Sequence, residues 1–332
     1  MNRGFPLTLI MAGFAVLSAR AADVAFFGVI KSQEFVQTSA AAPVPRPTNG
    51  FAFNAVVLAS SNRVVTNATV KPSNTTPLRT LLPANTNTLD LWRFEERFQT
   101  SAALEAAYPA GTLFTPVRYT NALFTVNDGL RVVALNYSLL TVVGNPATPQ
   151  VTNFPAAQAI DHTAPFVLRF NVSGNALIDL VQIIITDTAS NVVFSSPAPF
   201  SGGALTGASN AVVIPSYTLP PGTNLIGHLS FVRPAGLETN AYPGAIGVPA
   251  VLRDTEFPLV TRPAPAPPVL KILSTALPFR LRYTGESNRT YRLEATQDFI
   301  NWTNLLVTNL PSITFTDSIP LPRRFYRVHV GP

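Results

Sequence analysis

Three histidines, His162, His228 and His329, stand far apart in the chain. None belongs to an H-E-x-x-H pattern or has a second histidine at metal-ligand spacing, so the sequence predicts no metal centre and no cofactor. Each histidine is expected to hydrogen-bond locally. Adjacent Glu95 and Glu96 would point to opposite faces of a strand. Glycoside hydrolysis instead needs two carboxyl groups facing each other about 5 to 9 Å apart. Asp179 and Asp187 would share a face, but eight residues at about 3.3 Å each hold them roughly 26 Å apart, as the two ends of one strand. No nucleophile elbow, Walker loop or dinucleotide fingerprint occurs, and the absence of cysteine excludes thiol catalysis, disulfides and thiolate metal sites. A hydrolase reading rests only on Asp90, Glu95, Glu96 and Glu105, which cluster in sequence near Trp92.

Charge gives a more specific lead. The formal net charge is +6, although only 12% of residues are charged. From Val269 onward, Lys271, Arg280, Arg282, Arg289, Arg292, Arg323, Arg324 and Arg327 oppose Glu286, Glu294, Asp298 and Asp317, which leaves the preceding chain close to neutral. Strand alternation would turn Phe279, Leu281 and Tyr283 inward and Arg280 and Arg282 outward. Arg292 and Arg327 are expected to share that outer surface, with Glu294 blunting it. Such a face suits an anionic polysaccharide or another anionic cell-surface component. Trp302 has two readings: a flat platform for a sugar ring, or the core anchor of a small module. Lysine is scarce and no basic-aromatic RNA motif is present, so nucleic acid is not an expected partner.

The elements that must position these residues read as strands. Hydrophobic residues make up 47% of the chain, and runs of β-branched and aromatic residues are separated by turn-forming Pro, Gly, Asn and Asp. The predicted fold is all-β, in tandem β-sandwich modules. A first module at 22–145 would hold strands at 51–58, 63–70, 88–93 and 112–118, and a hairpin closed by Asn127-Asp128-Gly129. That tripeptide also carries oxygens of the kind calcium binds, but a tight turn accounts for it. A short helix at 101–107 would be capped by Ser101. A second module at 149–260 would hold strands at 166–171, 180–186, 191–194, 211–215 and 225–232. Four prolines within 261–268 form a semi-rigid spacer. A small sandwich at 269–332 would use strands at 279–283, 290–295, 302–306, 313–317 and 325–330.

In this last segment, Tyr291-Arg292-Leu293-Glu294-Ala295-Thr296, Asn301-Trp302, Phe315-Thr316-Asp317 and Arg324-Phe325-Tyr326-Arg327 resemble a recurring C-terminal β-module of secreted proteins from environmental bacteria. That family runs Y-x-L-E-A-S-T-D-L-x-N-W, then F-x-D, then R-F-Y-R. Gln297-Asp298-Phe299-Ile300 departs from its usual turn. Through Ile160-Asp161, the stretch from Asp179 to Asp187, Phe194 and Leu229–Phe231, the 149–260 module resembles immunoglobulin and fibronectin type III domains. These resemblances imply modular extracellular architecture and no single activity.

Residues 1–21 read as a signal peptide: Arg3, an apolar run over 5–17, then Ala19-Arg20-Ala21 at the cleavage site. The run is shorter than the roughly 20 residues a membrane-spanning helix needs, and no later stretch is long enough. The sequence therefore predicts an exported protein, periplasmic, at the cell surface or extracellular, that is a non-catalytic interaction or structural module. A carbohydrate-binding accessory protein is the alternative.

Overall fold

The computed structural model describes residues 24–59, 65–72, 77–85, 90–109, 121–126, 131–136, 143–199, 201–240, 244–264, 266–275, 278–287, 289–319 and 323–330. The expected leader at 1–21, the strand at 112–118 and the Asn127-Asp128-Gly129 turn lie outside them. The molecule is all-β and divides into two compact units, the boundary falling between Arg262 and Pro263, within the proline-rich spacer.

In the first unit the chain forms β1 (Val24–Val36), β2 (Val44–Pro45), β3 (Phe51–Ala59), β4 (Ala68–Lys71), β5 (Arg79–Thr80), β6 (Leu82–Asn85) and β7 (Asp90–Phe98), then helix α1 (Ser101–Ala107), β8 (Asn121–Val126) and β9 (Arg131–Asn136). It continues through a short helix α2 (Phe154–Ala157), β10 (Phe166–Arg169), β11 (Leu180–Thr186), β12 (Val192–Ser195), β13 (Leu205–Thr206), β14 (Ala211–Ile214), β15 (Asn224–Pro234) and β16 (Ile246–Val260). Thr100, rather than Ser101, caps α1, its hydroxyl accepting from the Ala103 N–H.

One long sheet, in the order β12-β11-β15-β16-β1-β3-β7-β6, organises the unit. Alternation divides its side chains between two faces. On one face Phe27, Val29, Phe53 and Val57 pack with Val70, Phe124 and Leu135 from the β5-β4-β8-β9 sheet and with Leu104 of α1. Farther along that face Ile183, Ile185, Leu229, Phe231 and Phe257 pack with Leu168 and Ile214 of the β10-β14 pair and with Phe154 of α2. Phe26, Ile30, Val56, Leu58 and Val248 of the opposite face form a third cluster. Close approach fixes Gly227, where a Cβ would lie 2.3 Å from the Phe257 ring.

The segments 22–145 and 149–260 thus each carry a core of their own, yet they share a sheet. The strand responsible is β1, which pairs antiparallel with β3 on one side and parallel with β16 on the other. Neither β1 nor β16 is expected from the sequence. β1 is buried on both faces over most of its length, so it lacks the alternation of a half-buried strand. β16 carries Pro249, Arg253, Asp254, Glu256 and Pro258, residues that ordinarily read as loop.

The second unit contains β17 (Val269–Ser274), β18 (Phe279–Thr284), β19 (Tyr291–Thr296), β20 (Thr303–Thr308), β21 (Ser312–Asp317) and β22 (Phe325–Val330). They form two three-stranded sheets, β17-β18-β21 and β20-β19-β22. Five of these strands lie where the sequence predicts them; β17 follows the spacer immediately and was hidden by it.

Candidate functional site

The two sheets of the second unit contribute inward-facing aromatics to its interior. Leu281 and Tyr283 of β18 and Tyr291, Leu293 and Ala295 of β19 are buried, with the Tyr283 and Tyr291 rings 5.3 Å apart and Phe279 stacked on Tyr326 at 5.2 Å. Each phenol finds a polar partner: Tyr283 donates to the Leu310 carbonyl at 2.6 Å, Tyr291 to the Glu286 carbonyl at 2.9 Å and Tyr326 to Asp317 at 2.7 Å. Burial and the bond to Asp317 push the Tyr326 hydroxyl up to about 12. These contacts hold the strands that carry the basic side chains.

Arg280 and Arg282 alternate outward from β18 between Phe279, Leu281 and Tyr283, as the sequence predicts. Register extends this face in both directions. Lys271 of β17 and Thr314 of β21 flank Arg282, while Ser274 and Thr316 flank Arg280. Thr284 and Ser312 form the next outward pair, and Arg282 donates to the Ser312 hydroxyl at 3.1 Å. Outward positions of this sheet therefore carry three cations and a field of hydroxyls, with no carboxylate. Lys271 belongs to the face but is not singled out by sequence, because β17 has no clear alternation.

Arg292 and Arg327 do not join that surface. They lie on the outer face of the other sheet, where Arg292 is paired in register with His329 and Glu294 with Arg327. Arg327 donates to Glu294 at 2.6 Å, and His329 stands 3.4 Å from the same carboxylate. The Arg327 hydrogen bond, reinforced by the charges of Arg327 and His329, holds Glu294 below the usual carboxylate range. The expected single surface is consequently split: the sheet pairing sends β18 and β19 into different sheets, and only the Arg280 and Arg282 face is free of acid.

Trp302 is neither a core anchor nor an open sugar platform. The Arg327 guanidinium lies over its ring at 4.0 Å, Phe299 meets it edge-on at 6.5 Å, and its indole N–H donates to the Phe299 carbonyl at 3.2 Å. Asp298 organises the preceding turn, accepting from the Ile300 and Asn301 N–H groups and the Thr296 hydroxyl, which draws it well below the usual carboxylate range.

The candidate acids Glu95 and Glu96 are held by cations and a hydroxyl. Glu95 and Glu96 do point to opposite faces of β7. Glu96 accepts from Arg79 at 3.0 Å and from the Tyr108 hydroxyl, while Glu95 pairs with Arg93 and Arg97. Arg97 reaches on to Glu34 at 2.8 Å, and Arg46 bridges Glu34 at 2.8 Å to Glu256 at 2.7 Å. A chain of alternating charge therefore runs across the β16, β1 and β7 region of the long sheet. Beside it, buried Asp254 accepts from Ser230 at 2.6 Å and pairs with His228 Nδ1 at 3.0 Å. Serine and histidine thus both bind the carboxylate rather than each other, unlike a nucleophile and its base. His162 meets Tyr217 edge-on at 6.0 Å. No group of three metal-ligating side chains gathers among the described residues.

Asp179 directly precedes β11, at the strand end where the sequence places it, and is also the centre of a clamp. It receives Arg233 through Nε at 2.7 Å and Nη2 at 2.8 Å, together with the Ser173 hydroxyl at 2.8 Å and the Asn175 N–H at 3.1 Å. The third nitrogen of Arg233 donates to the carbonyls of Val143 and Asn145, at 3.1 and 2.9 Å.

No family model matches the chain, and no curated protein matches it. Among solved structures, the FN1–FN3 domains of chicken CNTN1 align over 92% of this chain and 93% of theirs at 9% identity and a TM-score of 0.22. Domains A168–A170 from titin align over 92% and 93% at 10% identity and a TM-score of 0.27. The BSP domain of a biofilm-associated protein aligns over 98% of this chain and 67% of its own at 7% identity and a TM-score of 0.21. Similarity this low assigns no function to the chain.

Proposed function

We propose that this is an exported, non-catalytic interaction protein whose C-terminal module docks on an anionic polysaccharide through the outer face of β17-β18-β21. The observation carrying this reading is the acid-free constellation of Lys271, Arg280 and Arg282 among serine and threonine hydroxyls. Sulfate or carboxylate groups of a polymer meet cations there, and its hydroxyls meet the Ser and Thr rows. The leader-like residues 1–21 and the resemblance of the last module to a domain of secreted bacterial proteins support export. No helix among the described residues is long and apolar enough to cross a membrane. Neutral-sugar recognition through Trp302 is the weaker reading, since Arg327 already occupies a face of its ring.

The test compares binding of the full chain to alginate, to heparin and to neutral dextran. Replacing Lys271, Arg280 and Arg282 together by Ser should weaken binding to the anionic polymers by roughly three- to a hundredfold, because exposed charge contacts are worth about 0.2–1 kcal/mol each. Replacing Arg292 and Arg327 by Ser should have a smaller effect. Undiminished alginate and heparin binding by the triple variant would reject the reading, as would equal binding of dextran.

A further inference from the structure

A cavity of about 260 Å³ lies against the first unit's long sheet, beside helix α1 and the segment that carries Asn145. Lys31 lines it from β1, where it takes an inward position on the same face as Phe27 and Val29. An apolar side chain would be expected at such a place. The Lys31 side chain is only 7% exposed, and its Nζ donates to Glu105 Oε2 at 2.7 Å. Glu105 projects from α1 and is half-exposed, so the ion pair has one member buried and one at the mouth. Burial lowers the ammonium's pKa, and Glu105 only partly opposes this. The rest of the lining mixes hydrogen-bonding groups, among them Gln33, Ser101 and Asn145, with apolar Val251.

A buried ion pair is a poor stabilising device, since apolar residues of similar volume commonly serve as well. An amine held in a partly closed cavity beside a carboxylate has, by contrast, the parts of a carbonyl-condensing site. Gln33, Ser101 and Asn145 supply partners for hydroxyl groups on a bound molecule, and a cavity of about 260 Å³ has room for a small one.

We propose that Lys31 is a reactive amine that condenses with small hydroxylated aldehydes. Glu105 takes a proton from the Lys31 ammonium. The free amine lone pair then forms a bond to the carbonyl carbon as the C=O π bond breaks, and proton transfer gives a neutral carbinolamine. Protonated Glu105 returns its proton to the carbinolamine hydroxyl, the C–O bond breaks and water leaves. Glu105, again a carboxylate, takes the remaining N–H proton, which yields the neutral imine and leaves Glu105 protonated. Amine and aldehyde give imine and water, and no oxidant or reductant takes part.

The chain has only three lysines, Lys31, Lys71 and Lys271, which makes the proposal directly testable on the unaltered protein. Full-length folded protein is treated briefly with glycolaldehyde and cyanoborohydride, which fixes the imine as a secondary amine, and peptide mass spectrometry gives the rate at each lysine. Lys31 should react about tenfold faster than Lys71 and exposed Lys271, and the preference should disappear in denaturing urea. A Lys31 rate equal to or below that of Lys271 in the folded protein would overturn the proposal, as would a preference that persists in urea.

Discussion

His228 stands on the long sheet with its ring against Asp254, and Glu256 and Glu34 add to the negative potential around it. Burial by itself would favour the neutral imidazole, but these three carboxylates outweigh it and raise the histidine's pKa above the ordinary value. The folded state therefore binds this proton more tightly than the unfolded chain does. The resulting stabilisation is fully present below about pH 6.5, the unfolded value, and is lost as pH rises through the elevated folded value. Arg46 pairs with both Glu34 and Glu256, and Arg97 with Glu34. Thermal melting of the wild type should consequently fall as pH climbs above about 6.5, and His228→Gln should flatten that dependence. An identical slope in the two proteins would remove His228 as its source. The sequence shows that no histidine has a partner at ligand spacing. It does not show the Asp254 contact, because residues 26 positions apart meet only through the pairing of β15 with β16.

At the level of elements, residues 143–151, which lead into α2, are fastened to the long sheet. Arg233 holds the Val143 and Asn145 carbonyls, Arg253 holds that of Pro146 at 2.8 Å, and Thr255 that of Pro149 at 2.6 Å. Gln37 closes the row by exchanging two hydrogen bonds with the Val151 backbone, at 2.8 and 2.9 Å. Arg233→Ala would cut this fastening and leave the Asp179 carboxylate buried without its cation, a loss of about 3–5 kcal/mol. Urea denaturation should show a correspondingly lower midpoint, and Asp179→Ala should be similarly damaging because it strands the guanidinium. A change below about 1 kcal/mol in both variants would mean that the clamp is replaceable by water. Strands such as β3, β11 and β18 were legible because composition and turn signals bracket them. The fastening was not: its side chains come from β15, β16 and Gln37 just after β1, and the pairing of these strands is a property of the whole sheet. The same limit applies to the basic surface. Alternation places Arg280 and Arg282 correctly, whereas assigning Arg292 and Arg327 to that face requires knowing which strands share a sheet.

For the whole first unit, the decisive feature is that its two cores lie against a common sheet. β16 pairs with β15 on one edge and with β1 on the other. A fragment comprising 149–262 would have the residues of its own core but would expose the β1 edge of β16, a long row of unpaired backbone groups suited to association with another chain. It should aggregate or unfold at temperatures where the intact protein is stable, and supplying a peptide of residues 24–36 should improve its solubility. A monomeric 149–262 fragment with the thermal stability of the intact unit would show that the shared sheet is energetically dispensable.

The parallel pairing of β1 with β16 also imposes an order on biogenesis. The first strand of the unit has its register completed by the last, with Phe26 opposite Ile246 and Val36 opposite Glu256. Contacts this distant along the chain close slowly, since the loop between them must be ordered before they form. A chain emerging from its N-terminus cannot finish the sheet until residue 260 has appeared. This delay suits the proposed export as an open polypeptide and makes the early strands dependent on protection from premature association.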